Sequence, residues 1–277
     1  MPDAGVAHNL VMVKIRKTYP GQGKKVISSL FGAGQMMFTK YLIVVSGEVN
    51  IRDYRQLFLH ILRNTDYRQD LLFSKGPLDV LDHAADFSSL GGKLGIDATE
   101  KSVEEKPVNP DPEALPVQDI NEALEKCPAV ITSLTLFEGS PVAVAGINQY
   151  DDRDALIKVK EFLSDPGICN VFRLVLAVDD TVNIDDWFII AWQVLGNTDP
   201  NRDIIFLSDN SILIDGTIKA FSRSGFSRKW PNIVCSSEDT IKAVDVKWDS
   251  LGIGTFIPSP SLKRLRMVFG KDAEVNT

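Results

Sequence analysis

Residues 50–73, NIRDYRQLFLHILRNTDYRQDLLF, have a near-copy at residues 183–206, NIDDWFIIAWQVLGNTDPNRDIIF. Pairing each residue with the one 133 positions later aligns 38–73 with 171–206 without a gap and gives eleven identities in 36 positions. Unrelated segments of ordinary composition would share about two. The identical pairs are Val45/Val178, Val49/Val182, Asn50/Asn183, Ile51/Ile184, Asp53/Asp186, Leu62/Leu195, Asn64/Asn197, Thr65/Thr198, Asp66/Asp199, Asp70/Asp203 and Phe73/Phe206.

A further pair of related segments follows the two copies. GIDATEK at 95–101 matches LIDGTIK at 213–219, but the offset has fallen from 133 to 118. The first copy therefore holds about fifteen residues that the second lacks. We interpret the chain as the product of a duplication, in which one segment of the first copy is not repeated.

The hydrophobic pattern predicts the elements of the repeated unit. The apolar runs at 41–45 and 174–178 are typical of strands that are covered on both faces. Asn50 or Asp53 then offers a side-chain oxygen to the free N–H groups of a helix start. The apolar face of the helix is Tyr54, Leu57, Phe58, Ile61 and Leu62 in the first copy, and Trp187, Ile190, Ala191, Val194 and Leu195 in the second. The helix at 186–196 is apolar nearly all round, which favours burial on two sides and one sheet shared by both copies.

Each copy has a further strand and helix upstream. LVMVKI (10–15) and PVAVAGI (141–147) predict strands, and each precedes a segment with an apolar helical face. Those faces consist of Val26, Ile27, Leu30 and Phe31, and of Ala155, Leu156, Val159, Phe162 and Leu163. A strand that starts after Asp70 or Asp203 completes each half. Two β-α-β-α-β units predict an α/β fold with a mainly parallel (mixed) sheet in a Rossmann-like three-layer arrangement.

The predicted organisation has four parts: a first α/β unit at 1–101, an acidic Pro-rich linker at 102–128, a second unit with a closing helix at 129–252, and a tail at 253–277. The linker is predicted from composition, because eight carboxylates, three lysines and four prolines lie between Glu100 and Lys126. Ser236 and Asp239 form a capping-box pattern before the closing helix. One face of that helix carries Ile241, Val244, Trp248 and Leu251.

Bulk properties exclude several classes of protein. The net charge of −7 argues against nucleic acid as the main partner, because phosphate contacts need clustered Lys and Arg. No apolar run is long enough for a membrane span and no signal-peptide layout is present, so we expect a cytoplasmic protein. Cys127, Cys169 and Cys235 are far apart, and such spacing indicates neither a disulfide framework nor a zinc site.

Two segments carry residue types that can perform chemistry. In KTYPGQGKK, Gly21 and Gly23 with the following lysines Lys24 and Lys25 form either a phosphate cradle at a helix N-terminus or a plain tight turn. In GPLDVLDH, His83 with Asp79 and Asp82 forms either a metal or acid–base site or a set of loop contacts and caps. We favour the second interpretation in both cases, and the residues alone indicate no convincing active site.

The first copy carries a recognisable series of motifs over residues 8–101. YPGQGKKV, FTKYLIVVSGEVNIRDY and GPLDVLDHAADFSSLGGKLGIDATEK follow one another in that order. This series resembles the C-terminal region of the UbiD family of decarboxylases, which includes 3-octaprenyl-4-hydroxybenzoate carboxy-lyase. FSRKWPNIV and KWDSLG, near the end of the chain, resemble the last segment of the family. On this resemblance, residues 102–170 look like an insertion that shorter relatives lack.

The resemblance implies a non-oxidative decarboxylation of aromatic or α,β-unsaturated acids with prenylated FMN, a divalent metal and K+ in the full-length enzyme. The catalytic and metal-binding motifs of the family lie in a central domain that this chain does not match. We therefore expect the chain to bind no cofactor and to catalyse nothing alone. Its implied partners are the N-terminal and central domains of the same enzyme and further copies of itself.

The resemblance also implies which residues approach the active site. Pro77 and Leu78 occupy the place of a turn that closes over the substrate, and we expect Leu78→Ala to change decarboxylation with little loss of stability. Met37, Phe38, Thr39 and Lys40 occupy the place of a segment near the cofactor. Gly34 stands where some relatives have a basic residue for the cofactor phosphate. Lys40 either compensates for it or is a lysine at a strand edge in water.

Two alternatives remain beside this interpretation. The chain is either a free-standing α/β binding or regulatory module with no role in decarboxylation, or a small nucleotide-using enzyme built on the GQGKK turn. The second of these predicts tight binding of FMN or NADH by the chain alone, and we expect none.

Overall fold

A computed structural model describes residues 9–105, 125–137, 140–221, 226 and 228–275 of the chain. The strands are β1 (Leu10–Ile15), β2 (Tyr41–Ser46), β3 (Leu71–Pro77), β4 (Leu90–Ala98), β5 (Ile131–Leu136), β6 (Val142–Ile147), β7 (Leu174–Asp179), β8 (Ile204–Ser208), β9 (Ser211–Asp215), β10 (Trp230–Pro231) and β11 (Glu274–Val275). The α-helices are α1 (Gln22–Phe31), α2 (Tyr54–Asn64), α3 (Ala155–Leu163), α4 (Trp187–Asn197), α5 (Pro200–Asp203) and α6 (Glu238–Leu251). Short 3-10 helices span Gly34–Phe38, Lys219–Phe221 and Pro260–Met267.

Each copy forms its own mixed sheet. The first sheet has the order β1-β2-β4-β3, and the second has the order β5-β6-β7-β9-β8. The inner strands run parallel, while β3 and β8 are antiparallel edge strands, as is β5. The α/β class and the mixed, mainly parallel sheet are therefore confirmed. The predicted third strand of each unit lies at the edge, because the strand that follows it, β4 or β9, takes the inner position.

The expectation of one shared sheet was wrong. The apolar helix α4 is covered on two sides, but by different means: Val194 packs against Gly216 after its own sheet, while Leu195 joins a cluster with Tyr41 and Leu62 of the first copy. Burial on two sides thus needs only that the other copy packs on the helix. The composition of a helix does not reveal which kind of neighbour covers it.

The two copies use the same local interactions at matching positions. Asp53 caps α2 by accepting the N–H of Gln56, and Asp186 caps α4 by accepting the N–H of Ile189. Of the two predicted capping residues, Asp53 is therefore the cap. The loop after each helix is closed in the same way, because Asp70 accepts the N–H of Asp66 and Asp203 accepts that of Asp199.

The GIDATEK and LIDGTIK segments form equivalent buried ion-pair turns. Asp97 accepts the N–H and the hydroxyl of Thr99, and Asp215 does the same for Thr217. Lys101 lies 3.0 Å from a carboxylate oxygen of Asp70, and Lys219 lies 3.8 Å from Asp203 and 3.1 Å from Asp215. Residues that are 118 positions apart in these two segments therefore occupy equivalent places in the two copies.

The copies pack on each other about an approximate two-fold axis. The Nζ of Lys40 donates to the carbonyl of Thr198 at 2.8 Å, and an Nη of Arg173 donates to the carbonyl of Thr65 at 3.1 Å. Lys40 and Arg173 are 133 residues apart, as are Thr65 and Thr198. Such an exchange, in which i meets j′ and i′ meets j, is what a two-fold rotation produces. Phe73 and its counterpart Phe206 also meet, with ring centroids 6.0 Å apart.

Contacts divide the chain after Phe226, which differs from the four predicted parts. Residues 1–226, with both copies, form one compact unit, and residues 227–277 form another. The closing helix therefore groups with the tail rather than with the second copy. Residues 106–124, most of the predicted linker, lie outside the described residues.

The second compact unit is small. Strands β10 and β11 pair, and the side-chain amide of Asn232 donates to the carbonyls of Phe269 and Asp272. The cap of α6 is Ser237, which accepts the N–H of Thr240, so the predicted pair Ser236 and Asp239 was wrong by one residue. Of the predicted apolar face of α6, Ile241 is buried, while Val244 and Leu251 are 44% and 50% exposed. No helix in the described part of the chain is long and apolar enough to cross a membrane.

Candidate functional site

The structure brings the two predicted site segments together. Lys93 of β4 donates its Nζ to the carbonyls of Met37 and Thr39, at 2.5 and 2.6 Å. Gly76, beside Pro77, packs on the aliphatic part of the same Lys93 side chain. A second link is the ion pair between Lys40 and Asp82, at 2.5 Å. Contacts of Lys93 and Lys40 thus hold residues 37–40 against the end of β3 and the segment after it.

Lys40 is not a solvated lysine at a strand edge. Its side chain is 1% exposed, and its Nζ contacts both Asp82 and the carbonyl of Thr198 in the second copy. Burial lowers the pKa of Lys40, and the neighbouring Asp82 opposes this shift. The interpretation of Lys40 as a lysine in water was therefore wrong, and its charge is neutralised within the protein.

Lys93 is a buried cation that the sequence did not single out. It is 2% exposed, its Nζ lies 5.2 Å from the centroid of the Phe31 ring, and burial lowers its pKa to about 8. Its position within the GGKLGIDAT motif gave no signal of burial, because lysine is among the residues least often found inside proteins. Lys93 fixes the path of the 37–39 backbone beside the end of β3.

Pro77 and Leu78 have different environments. Pro77 is exposed at the end of β3. Leu78 is 1% exposed, donates its N–H to the carbonyl of Ser89, and packs with Ala85 on Gly91. This burial argues against the expectation that Leu78→Ala would leave stability almost unchanged, because removing a buried leucine side chain leaves a cavity.

Within residues 77–82, the exposed large apolar side chains are those of Val80 and Leu81. They are 73% and 78% exposed, respectively. Sequence reasoning missed both, because PLDVL contains several apolar residues and no periodicity that assigns one of them to the core.

His83, Asp79 and Asp82 act as loop contacts and caps. Asp82 accepts the N–H groups of Ala84 and Ala85, and Asp79 accepts that of Leu81. The Nε2 of His83 lies 3.0 Å from the side-chain oxygen of Asn197 in the second copy. A cavity of about 40 Å³ remains here, lined by Asn9, Asp79, Leu81, Asp82, His83 and Gly196. Within the described residues there is no group of three or more side chains that could hold a metal ion.

The GQGKK turn binds the carboxylate of Glu105, a residue 84 positions later in the chain. Glu105 accepts the N–H of Gly21 at 2.8 Å and pairs with Lys17. Although burial opposes it, the hydrogen bonds from Lys17, Gly21 and Ser102 hold the pKa of Glu105 at about 2. Gly23 is required because a Cβ there would collide with the carboxylate of Asp97. Packing and an internal ion pair thus account for these residues, in agreement with the interpretation of the segment as a plain tight turn.

Lys40, Lys93 and Gly34, the described residues considered for a flavin phosphate, do not fit such a site. The two cations beside residues 37–40, Lys40 and Lys93, are both buried and committed to internal oxygens. Gly34, at the place of the basic residue of some relatives, has a φ of 48° in the left-handed region and offers no side chain. A phosphate beside residues 37–40 would therefore not be held by Lys40 or Lys93.

Comparison with known proteins identifies the family. The domain described as 3-octaprenyl-4-hydroxybenzoate carboxy-lyase C-terminal domain matches residues 1–98 and 116–222. An uncharacterized protein of Helicobacter pylori is 30% identical over 249 residues, which are 89% of this chain and 39% of the relative. An uncharacterized protein of Archaeoglobus fulgidus is 42% identical over 102 residues, or 36% of this chain and 21% of the relative.

Two solved structures are more distant. The vanillic acid decarboxylase of Sedimentibacter hydroxybenzoicus is 21% identical with a TM-score of 0.35, over 43% of this chain and 26% of that chain. The UbiD-class enzyme HmfF of Pelotomaculum thermopropionicum, in complex with FMN, is 22% identical with a TM-score of 0.31, over 41% and 24%. Scores of this size do not establish a common fold over the whole chain, so the family assignment rests on the sequence match.

The family match also corrects the expected insertion. Residues 116–170 lie inside the second matched range, so the interpretation of 102–170 as an insertion was wrong over most of its length. Each matched range coincides with one copy of the repeat. The chain spans about 39% of the length of the Helicobacter relatives. The chain belongs to the UbiD C-terminal domain family and carries that domain's pattern in both of its copies.

Proposed function

We propose that the chain serves as the C-terminal part of a UbiD-type decarboxylase that acts on aromatic or α,β-unsaturated acids, and that it is not catalytic alone. The observation that carries this proposal is the family match over both copies. The short span of the chain against its Helicobacter relatives supports a catalytic portion elsewhere in a longer polypeptide. Its partners are then the N-terminal and central domains of that enzyme and further copies of itself, in the cytoplasm.

The first copy contributes the wall of the substrate cleft. Residues 37–40 and 77–82 supply it, with Pro77 at the surface, Leu78 as its buried support, and Val80 and Leu81 as exposed apolar contacts. The joining of these segments by Lys93 and by the Lys40–Asp82 pair supports this role, because a wall must keep its shape when substrate binds. The second copy lacks this segment and contributes none of the wall.

The cofactor belongs to the rest of the enzyme. Prenylated FMN, its divalent metal and K+ are held by the central domain, and Met37, Phe38, Thr39 and Lys40 lie beside it without binding its phosphate. The commitment of Lys40 and Lys93 to internal oxygens supports this division.

The wall is tested in the longer enzyme by Pro77→Ala. Removing this exposed ring from the cleft should change the ratio of kcat/KM between a bulky aromatic acid and a small unsaturated acid, with little effect on the melting temperature. The matched control is Pro231→Ala, an exposed proline of β10 in the other compact unit. Equal ratios for wild type, Pro77→Ala and Pro231→Ala would remove the segment from the cleft.

The division of labour is tested by comparing this chain with the longer polypeptide. With supplied prenylated FMN and divalent metal, only the longer polypeptide should release CO2 from the acids. Decarboxylation by the chain alone would overturn the proposal.

A further inference from the structure

The contacts between the copies depart from two-fold symmetry on one side. The segment 77–90, which we call the unrepeated loop, adds contacts from the first copy to the second. His83 meets Asn197 at 3.0 Å, and Asp86 pairs with Arg202 at 2.7 Å. The fifteen extra residues of the first copy include this loop, so the second copy has no segment that could return these contacts.

The residues under the loop differ between the copies. His83 lies over Gly196, where an added Cβ would come within 3.8 Å of its ring, and the position that matches Gly196 in the first copy is Arg63. The position that matches Arg202 is Gln69. The loop therefore contacts the end of α4, which carries Gly196, and Arg202 of α5, and the first copy has neither residue at the matching places.

Burial follows the same asymmetry. Asn197 and Asp199, at the covered end of α4, are 6% and 5% exposed, whereas Asn64 and Asp66, at the end of α2, are only half-buried. Arg63 is exposed and lines an open groove with the outer face of α2. Among the described residues, one end of the two-fold arrangement is thus covered by the loop and by the adjoining Gly91 and Gly92, while the other end is less covered.

We propose that the unrepeated loop makes the pairing of the two copies heterotypic. The surface of the first copy accepts a domain of the second type, with glycine at position 196 and arginine at 202, and rejects another first copy. Gly196 lines a cavity of about 40 Å³, which has room for about one water and not for the side chain of an arginine. A glutamine at 202 would leave Asp86 and Asp203 without their guanidinium partner. The ion pair of Asp86 with Arg202 thus favours the second copy, and the small space beside Gly196 excludes a copy with arginine there.

The pairing is tested in the full chain with a protease site inserted within residues 106–124. After cleavage, native mass spectrometry should find one first half with one second half, and no pair of first halves. Halves that separate at micromolar concentration, or pairs of first halves, would overturn the proposal.

The specificity residues are tested by giving the second copy the residues of the first. In the cleaved protein Gly196→Arg should weaken the association of the halves about 10-fold or more, as overpacking of a closed site does. The matched control is the reverse exchange at the less covered end, Arg63→Gly, which should leave the affinity unchanged. Equal effects of both substitutions would mean that the loop does not select the partner.

A second pair of variants covers the case in which Gly196→Arg does not fold. Arg202→Gln should weaken the association about 5-fold, because it removes a partly exposed ion pair with Asp86. Gln69→Arg is its control and should have no effect. Before cleavage, each variant should melt cooperatively, since the linked copies need no intermolecular association. An unchanged affinity for Arg202→Gln would overturn the role of Arg202.

Discussion

The two copies of the unit use different side chains to accept the same backbone N–H at the end of a central strand. In the first, the hydroxyl of Ser46 at the end of β2 accepts the N–H of Glu100 at 2.7 Å. In the second, Asp179 takes the place of Ser46 and accepts the N–H of Ile218 at 3.0 Å, together with the amides of Gln149 and Gln193. Both copies place an acceptor for this backbone N–H at the end of the strand, but only the carboxylate of Asp179 can titrate. The position of this hydrogen bond is thus the same in both copies, although the accepting residue differs.

The largest expected effect tests whether the buried lysines are equivalent. Lys219→Met leaves Asp215 buried without its cation and Asp203 with Arg202 alone, which should cost about 3–5 kcal/mol of unfolding free energy. Lys101→Met should cost a similar amount, because Lys101 serves Asp70 and Asp97 in the same way. Urea unfolding followed by circular dichroism measures both. Lys229→Met, in an exposed pair, is the control and should not move the midpoint. A large loss in one copy alone would break the equivalence.

The next effect concerns the segment that only one copy has. Leu78→Ala should lower the free energy of unfolding by about 2–4 kcal/mol, because it opens a cavity against Ala85 and Gly91. Leu81→Ala, at a 78% exposed position of the same segment, should change it by less than about 0.5 kcal/mol. Thermal melts of the two variants compare them directly. Similar losses would contradict the assignment of Leu78 to the core and Leu81 to the surface.

The Ser46/Asp179 difference predicts a pH dependence in one copy only. Burial raises the pKa of Asp179 to about 7 from an ordinary value of 3.8. Between these values the folded chain holds a proton that the unfolded chain releases, so this group's contribution to stability falls as the pH rises from about 4 to 7. The variant Asp179→Asn cannot lose stability in this way. As the pH rises through this window, its free energy of unfolding relative to that of the wild type should increase by up to ~1.4 kcal/mol per pH unit. Urea midpoints measured at several pH values test this.

Ser46→Ala provides the comparison for Asp179. Since a hydroxyl does not titrate in this range, its destabilisation should be the same at every pH between 4 and 8. A flat profile for Asp179→Asn as well would show that Asp179 is ionised in the folded protein.

The smallest effect tests the matched helix caps. Asp53→Ala and Asp186→Ala should each cost about 1 kcal/mol, because each leaves an N–H of the first turn without its acceptor. Asn50→Ala is the control in the first copy, since Asn50 accepts the N–H of Arg52, before the helix begins. A larger loss for Asn50→Ala than for Asp53→Ala would contradict the assignment of the cap.

Much of the fold was predictable because it depends on local pattern. The apolar runs, the helical faces and the Asp53 and Asp186 caps act within a few residues, so periodicity and residue type indicate them directly. The sequence predicted less of the site. It indicated the segments 37–40 and 77–78, but not that Lys93 joins them or that Leu78 is buried while Leu81 is exposed. These facts depend on which neighbours arrive from β4 and from the second copy.

The sequence by itself determined the duplication, the α/β class, the helix and strand composition of each copy, and membership of the family. Each of these follows from periodicity, identity at a constant offset or ordered motifs, which do not depend on distant contacts. The tertiary structure alone decided that the copies form two sheets, that Lys40 and Arg173 exchange partners about a two-fold axis, and that the unrepeated loop covers one end. Those outcomes depend on burial and on contacts between residues more than 100 positions apart. A one-dimensional pattern carries no information on which face meets which.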